Sequence, residues 1–415
     1  MNKEVLIIGG GIIGLSTAYY LNKEGHRVTI VDRSDLDSGA SYINAGYLCP
    51  SHIVPLSAPG VVKKGLKWMF NPSSPLFIKP RLDLDFLRWA WSFQASCKSA
   101  HVAAAAPVIR DISLLSQALY NEIRQHEGFD SHYEKKGLLM LCQTPEMLEE
   151  ELKAAALAKR IGLDVEALDI KALKKVVPTT QVNAIGATYY PCDAHSTPHE
   201  FMQEMKSNLT KAGVQLLCNE KVVDFQYVGK RIRSVVTDKR HIKADAFVLS
   251  AGAWTGQLAA KAGLRLLVQA GKGYRINAKN SSGISIPAIL AEAKVAITPM
   301  NGFTAISGTM EISGLNQKIH RQRIHAMADA ARRYYPELVL SAADKAGATV
   351  GLRSLSFDGL PYIGTSSTYQ NLIIAAGHAM MGWTMGPATG KLVSEIISER
   401  KTSLDIRPFD PNRKP

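Results

Sequence analysis

Gly9-x-Gly11-x-x-Gly14 lies between a short apolar run, Val5-Leu-Ile-Ile8, and a helical pattern, and Asp32 closes the next apolar run. Glycines in that setting can hold a dinucleotide. The first permits a tight turn, the second lets backbone approach a pyrophosphate, the third lets helix pack on strand, and the helix N-terminus favours phosphate charge. Asp32 would accept hydrogen bonds from ribose hydroxyls and disfavours a 2′-phosphate. Ile12, Ile13 and Arg33 fall beside these positions and are expected contacts. The fingerprint leaves NAD and FAD both open.

A second glycine loop follows the apolar run 371–376: Gly377-His378-Ala-Met380-Met381-Gly382-Trp383-Thr384, leading into an amphipathic helix. Its Gly377, Met381, Gly382, Trp383 and Thr384 can bring amides at a helix N-terminus to an anionic or electron-poor part of a cofactor. A third corner, Ala251-Gly252 with Trp254, follows the run 246–250, and Val222 precedes it as another expected contact. Arg353 carries a planar fork of donors suited to a carboxylate, either a substrate's or that of a core acid such as Asp358. His52 can accept a proton or sit as an ordinary loop residue. Tyr274 lines a pocket or belongs to the core. Asp193, His195 and His199 fall close together, but Ser196 or Thr197 before Pro198 reads as a helix cap and first turn, so no metal site is expected.

The elements that position these groups read as α/β. A strand, a helix over 12–24 and a strand over 27–31 form a βαβ unit. Residues 51–93 break into loops and short helices; 102–126, 146–160, 198–212 and 318–335 carry helical patterns. Strands are expected at 137–143, 214–218, 221–227, 232–237 and 246–250, and they dominate 267–311. Nucleotide-type units at both ends, with mixed strands between, imply discontinuous domains. The assignment is 1–80, 145–182, 197–262 and 340–415 to a cofactor domain, and 81–144, 183–196 and 263–339 to a substrate domain.

With 415 residues, 46% hydrophobic and 20% charged, the chain composes like an enzyme large enough for two or three domains. The net charge of +13 allows an acidic partner. No dense basic run interleaved with aromatics accompanies it, so nucleic acid is not expected. Five scattered cysteines without a CxxC pair suit a reducing compartment. The uncharged stretch 5–21 is too short and too rich in glycine for a spanning helix, and no other uncharged run matches it.

Taken jointly, several motifs carry a resemblance over nearly the whole chain: the fingerprint, Ser41-Tyr-Ile-Asn44-Ala45-Gly46, Gly351-Leu-Arg353, Asp358-Gly-Leu-Pro-Tyr-Ile-Gly364, and Gly377-His378 through Gly390. The chain resembles the D-amino acid oxidase superfamily of flavoproteins. Its wording is nearest the D-amino acid dehydrogenase branch in Ala58-Pro-Gly60, Lys272-Gly-Tyr274, Val295-Ala-Ile-Thr298 and Gly308-Thr-Met-Glu311. The resemblance implies FAD, a GR2-type Rossmann-like flavin domain that is discontinuous, and an α+β substrate domain whose mixed antiparallel sheet roofs the flavin. It implies oxidation of a D-amino acid, including cyclic ones such as D-hydroxyproline, by hydride transfer to flavin N5. Electrons then pass to a quinone or another acceptor. It places Arg353 on the substrate carboxylate and Ser41, Asn44, Ala45 and Gly46 against the cofactor.

The chain departs from glycine-oxidase-like relatives where they place a tyrosine and an arginine, having Ala296 and Met380 there, which makes the pocket more apolar. Relatives that tether flavin use a histidine near Asn44 or a late cysteine, and neither occurs here, so FAD is expected to be noncovalent. Other functional classes are an oxidase using oxygen, a flavoprotein acting on tRNA, and a non-catalytic FAD-bound assembly factor. If 61–70 is helical, Lys63, Lys64 and Lys67 share an arc of roughly 100° opposite Val61, Val62, Leu66, Trp68, Met69 and Phe70. That pattern either docks on an anionic cytoplasmic leaflet, within reach of a quinone, or packs on the substrate domain.

Overall fold

Val5, Leu6, Ile7 and Ile8 are all buried, and they divide by alternation: Val5 and Ile7 join one apolar cluster, Leu6 and Ile8 another. A strand covered on both faces needs apolar side chains at every position, which is why the run shows no polar alternation. The computed structural model describes residues 2–68, 74–280 and 282–414. In it this strand, Glu4–Ile8, is central to a six-stranded sheet ordered Tyr362–Thr365, Leu372–Ala376, Ala246–Leu249, Glu4–Ile8, Arg27–Val31, Gln215–Leu217. Tyr362–Thr365 runs antiparallel to its neighbour; the other pairings are parallel. The helices Ile12–Lys23, Ser99–Glu127 and Gly382–Ile397 share the cluster on one side of the sheet. The meander Val222–Val228, Arg231–Thr237, His241–Lys243 contributes Phe225, Ile232 and Val235 to the other. A Cβ on Gly390 would stand 2.4 Å from the Ser16 backbone, so glycine there is what lets the first and last of these helices touch.

A second sheet has ten strands. Its path runs His378–Ala379, Thr349–Ser356, Val268–Ala278, Phe303–Ile312, Val295–Met300, Ala288–Leu290, Leu138–Cys142, Gly186–Tyr190, Glu166–Asp169, and Leu76–Ile78 pairs with Phe303–Ile312 off that path. Its back face packs on helix Arg321–Tyr334, where Ile324, Met327 and Ala331 meet Tyr274, Ile276 and Ile306. Its front face turns to the first domain: Arg275 donates to Asn44 O at 3.2 Å, Thr298 to Ala45 O at 2.8 Å, and Gly351 lies against Ala40. A Rossmann-like unit roofed by a mixed sheet is the expected fold class.

The division of the chain differs from expectation in four places, the first being Leu76–Ile78, which lies within 1–80 yet pairs with Phe303–Ile312 of the second sheet. Segment 145–182 belongs with the second sheet, because Glu166–Asp169 pairs with Gly186–Tyr190. Within 81–144, helix Ser99–Glu127 packs in the first domain, with Ile109, Ile112, Tyr120 and Ile123 in its core. Within 340–415, Thr349–Ser356 is a strand of the second sheet. Ser99–Glu127 is long and apolar enough to cross a membrane by length and composition. Its apolar face instead meets Trp383, Ala388 and Leu392 of the C-terminal helix.

Helix Val61–Trp68 forms as expected, while Met69 and Phe70 lie outside the described residues. Val61 and Val62 are partly buried against the core, and Gly65 faces Leu76 and Ile78. The apolar side of this helix is thus turned inward at those positions.

Candidate functional site

The fingerprint loop is built as the phosphate-binding reading requires. Gly9 has φ +107°, and a Cβ on it would meet Ser250 O at 2.5 Å; a Cβ on Gly14 would meet Gly9 O at 1.9 Å. Helix and strand therefore approach as only glycine permits. A Cβ on Gly11 would meet only the Ser41 Oγ, at 3.1 Å, so this glycine leaves its open side to the mouth of the loop. The Ser41 hydroxyl accepts from Ile12 N–H at 3.0 Å, supplying one oxygen where helix amides call for an acceptor. Asp32 Oδ2 accepts from Gly10 N–H at 2.7 Å, and its Oδ1 accepts from the Ser34 N–H and hydroxyl. The acid thus ties the end of its strand to the glycine turn. Glu220 N–H bonds to Asp32 O, which brings the start of strand Val222–Val228 alongside. Arg33 stacks on Trp254, its guanidinium 3.7 Å from the ring centroid. This set of donors and open backbone fits an adenine dinucleotide.

The turn Asn44–Ala45–Gly46 is pinned from three directions. Beyond the bonds from Arg275 and Thr298, Ser196 N–H donates to Gly46 O at 2.9 Å. Asn44 Oδ1 closes the turn by accepting from Gly46 N–H. Gly46 has φ +79°, and a Cβ there would strike Ser196 O at 2.2 Å. Arg275 was not among the expected site residues. Its signal was the alternation Gly271-x-Gly273-x-Arg275, which puts all three on the front face. Burial pulls its guanidinium down to about 10.

Arg353 is half-buried on strand Thr349–Ser356, and its guanidinium lies across Gly273 of the neighbouring strand. A Cβ on Gly273 would stand 2.1 Å from Arg353 Nη1, so the arginine occupies the space that glycine leaves. Nη1 donates to Thr309 O at 3.0 Å, the one hydrogen bond its guanidinium makes among the described residues. No carboxylate there pairs with it. Asp358, the alternative partner, is instead held by Arg413, at 2.7 Å and 2.9 Å. Burial lowers the Arg353 guanidinium to about 10, still well above neutral pH. A desolvated cation with uncommitted donors is chemically suited to a carboxylate. Thr309, whose φ of 60° is left-handed, aims the carbonyl that holds it.

Ser354, the next residue, connects the two other glycine corners. Its hydroxyl donates to Gly252 O and accepts from Gly377 N–H, both at 3.0 Å. Sequence reading missed it, because both of its partners are remote in sequence. His378 is buried, shares a 2.9 Å hydrogen bond with Thr389 Oγ1, and is held neutral, its ring pushed down to about 3 by burial. Met381 precedes the helix Gly382–Ile397, and Met380 is 47% exposed. Trp383 and Thr384 face inward: Trp383 Nε1 donates to Ser196 Oγ, and Thr384 Oγ1 donates to Tyr47 O. Any cofactor contact from these two comes from backbone, as the amide reading requires.

Tyr274 is a correction. It is buried on the back face, where its hydroxyl donates to Glu311 Oε2 at 2.8 Å, within a network of Lys272, Glu311 and Arg323. Alternation from the front-facing Gly273 sends it away from Arg353. His52 lies in a group with Cys49 and Asp193, and burial, helped by Lys294, lowers it to about 4, so it is neutral and resists protonation near neutral pH, which weighs against it as the proton acceptor. Ala296 shares the front face with Thr298, between Val295 and Ile297, which belong to the back-face core. His195 and His199 part company: His199 rests against Tyr42 and Phe303, while His195 faces Glu134.

A family model described as DAO, FAD dependent oxidoreductase, matches residues 4–396. A D-amino acid dehydrogenase of Helicobacter pylori (strain J99) is 31% identical over 413 residues, covering 99% of this chain and 98% of the relative. One from Bradyrhizobium diazoefficiens is 31% identical over 412 residues, covering 97% of each. Among solved structures, glycine oxidase from Geobacillus kaustophilus superposes with a TM-score of 0.80 at 23% identity, covering 100% of this chain and 99% of its own. L-proline dehydrogenase from P. horikoshii does so at 0.75 and 20%, covering 99% and 97%.

Proposed function

The chain belongs to the DAO family of FAD-dependent oxidoreductases, and from that premise we propose that it oxidatively deaminates an amino acid, with a D-amino acid as substrate. The observation that carries the reading is Arg353: a guanidinium on the front of the sheet, without an acid to pair with among the described residues, lying across Gly273 of the neighbouring strand. Its fork would orient a carboxylate and so fix where the neighbouring amine carbon lies. FAD, when bound, supplies the acceptor for the two electrons removed from that carbon. The imine product hydrolyses to a keto acid and ammonia, or stays a cyclic imine if the substrate is proline-like. Ala296 and the exposed Met380 leave room for a side chain larger than glycine's. The D configuration follows the full-length relatives.

The proposed acceptor is a membrane quinone. In support, helix Leu84–Ser96 turns Leu84, Leu87 and Trp91 to solvent at i, i+3 and i+7, next to Leu82, which is 98% exposed. Lys63, Lys79, Arg88 and Lys98, exposed in the same stretch of chain, supply the positive charge an anionic leaflet would require, with Asp83 and Asp85 at the helix start. Buried Phe86, Trp89 and Phe93 anchor the opposite side. This relocates the docking surface from 61–70 to the following helix. Flotation tests it: wild type should bind anionic liposomes in a salt-sensitive way, and Leu84→Glu with Trp91→Glu should not. The activity is tested by turnover across a D- and L-amino acid panel that includes hydroxyproline, with an artificial acceptor. Faster reduction of oxygen than of any quinone would make the protein an oxidase.

A further inference from the structure

His195 is fully buried; its Nδ1 has no hydrogen-bond partner among the described residues, and its Nε2 meets only the Glu134 carboxylate there. Cores seldom leave an imidazole in that condition. Its Nε2 lies 3.3 Å from Glu134 Oε2, and His132 Nε2 lies 3.9 Å from the same oxygen. One ligand atom from each of the three residues falls within 4.8 Å of the others. Backbone holds the group together. Glu134 and His195 exchange N–H to carbonyl bonds of 2.9 Å each, and Thr197 N–H donates to Ser131 O at 2.9 Å. Ser131 and His132 have left-handed backbone, φ 36° and 45°, in the turn that leads to this bridge.

We propose that His132, Glu134 and His195 form a binding site for a divalent cation of the zinc type, with a fourth position left for water. Bonds of about 2.0–2.2 Å in tetrahedral geometry set ligand atoms roughly 3.3–3.6 Å apart. The His195–Glu134 separation already meets that, and a small rotation of His132, whose side chain is 35% exposed, closes the other. Two imidazoles with one carboxylate select zinc-like ions over magnesium or calcium, which take oxygen ligands. Lys136 Nζ holds the other oxygen, Glu134 Oε1, at 2.9 Å, which leaves Oε2 facing the histidines. Glu134 is also partly exposed, so the ion has a way in from solvent.

The ion would fasten the turn at 131–134 to the strand Ala194–His195. That strand pairs with Tyr47–Leu48, and the following Ser196 holds Gly46 and Trp383. Its effect is therefore on the stability of the scaffold behind the flavin turn, independent of which substrate is oxidised. The sequence reading weighed Asp193, His195 and His199 and expected no metal there, whereas the partners of His195 come from a segment that only the fold brings alongside.

The test uses tag-free holoenzyme freed of metal by chelation and dialysis, titrated calorimetrically with zinc sulfate and melted with zinc or magnesium. One equivalent of zinc should bind and raise Tm, and magnesium should not. His132→Ala, at a partly exposed side chain, and Glu134→Gln should each weaken zinc binding by at least about 100-fold. His52→Ala, in the separate group with Cys49 and Asp193, should leave it unchanged. Absence of a zinc site, wild-type affinity in His132→Ala, or loss of binding only in His52→Ala would overturn the proposal.

Discussion

Arg353→Ala separates substrate binding from folding more cleanly than any other substitution in this molecule. The guanidinium makes one hydrogen bond, to Thr309 O, and rests in space left by Gly273, so its loss leaves no buried acid uncompensated. Burial alone lowers it from 12.5 to about 10, which means the folded chain holds this charge at a cost on the order of 3 kcal/mol. That cost is present below pH 10 and fades only above it, so at neutral pH the alanine variant should melt no lower than wild type. Truncating one partner of a desolvated charge pair costs about 2–5 kcal/mol. At about 1.4 kcal/mol per tenfold, kcat/KM for an amino acid should fall roughly 30-fold to several thousand-fold. Arg353→Lys keeps the charge without the fork and should recover only part of this. The assay is steady-state turnover with an artificial acceptor, alongside flavin content and Tm. Normal kcat/KM in the alanine variant, or a sharp drop in Tm with FAD lost, would refute the reasoning, the first by removing the receptor role and the second by making the arginine structural.

Gly273→Ala should act at a distance through the same group: the added methyl occupies the place of Nη1, so KM should rise at least several-fold while FAD stays bound, as read by turnover and absorbance. Asp32→Ala removes the acceptor of Gly10 N–H and should raise the FAD dissociation constant about 10- to 100-fold, at about 1–3 kcal/mol, without changing amino acid preference; flavin titration of the apoprotein checks it. Acid precipitation should leave all the yellow colour in the supernatant, because no histidine or cysteine at the tether positions is present to retain it. His378 sits at about 3 in the folded chain against an ordinary 6.5. Between those values the unfolded chain takes up a proton that the folded one refuses, so stability falls as pH falls through that window. His378→Gln, able to keep the Thr389 bond, should flatten the acid limb of Tm against pH by about one proton.

The cofactor half of the molecule was the more legible because its signals are local. Gly9, Gly11 and Gly14 report backbone approach, and Asp32 follows directly on the strand that carries it. Arg353 could be named from its motif, but its strand could not be read: Thr349-Val-Gly-Leu-Arg-Ser-Leu-Ser places Gly351 and Arg353 on one face and Ser354 and Ser356 on the other, so neither face shows the apolar alternation of a core strand. Arg275 and Ser354 stayed hidden for a related reason, since their partners, Asn44 O, Gly252 O and Gly377 N–H, lie far away in sequence. Tyr274 was misplaced by a single step of strand alternation. The domain division failed at 145–182, where a helix and a short strand with ordinary amphipathic patterns do not reveal which sheet they will join.

Anaerobic mixing of the purified yellow protein with single amino acids tests the central claim most directly, because it reads cofactor, substrate and stereochemistry in one absorbance trace. Flavin absorbance should bleach with at least one D-amino acid and far more slowly with its L enantiomer, and Arg353→Ala should need much higher concentrations to bleach at the same rate. Bleaching by the L enantiomers alone, or by no amino acid while dithionite still reduces the flavin, would contradict it.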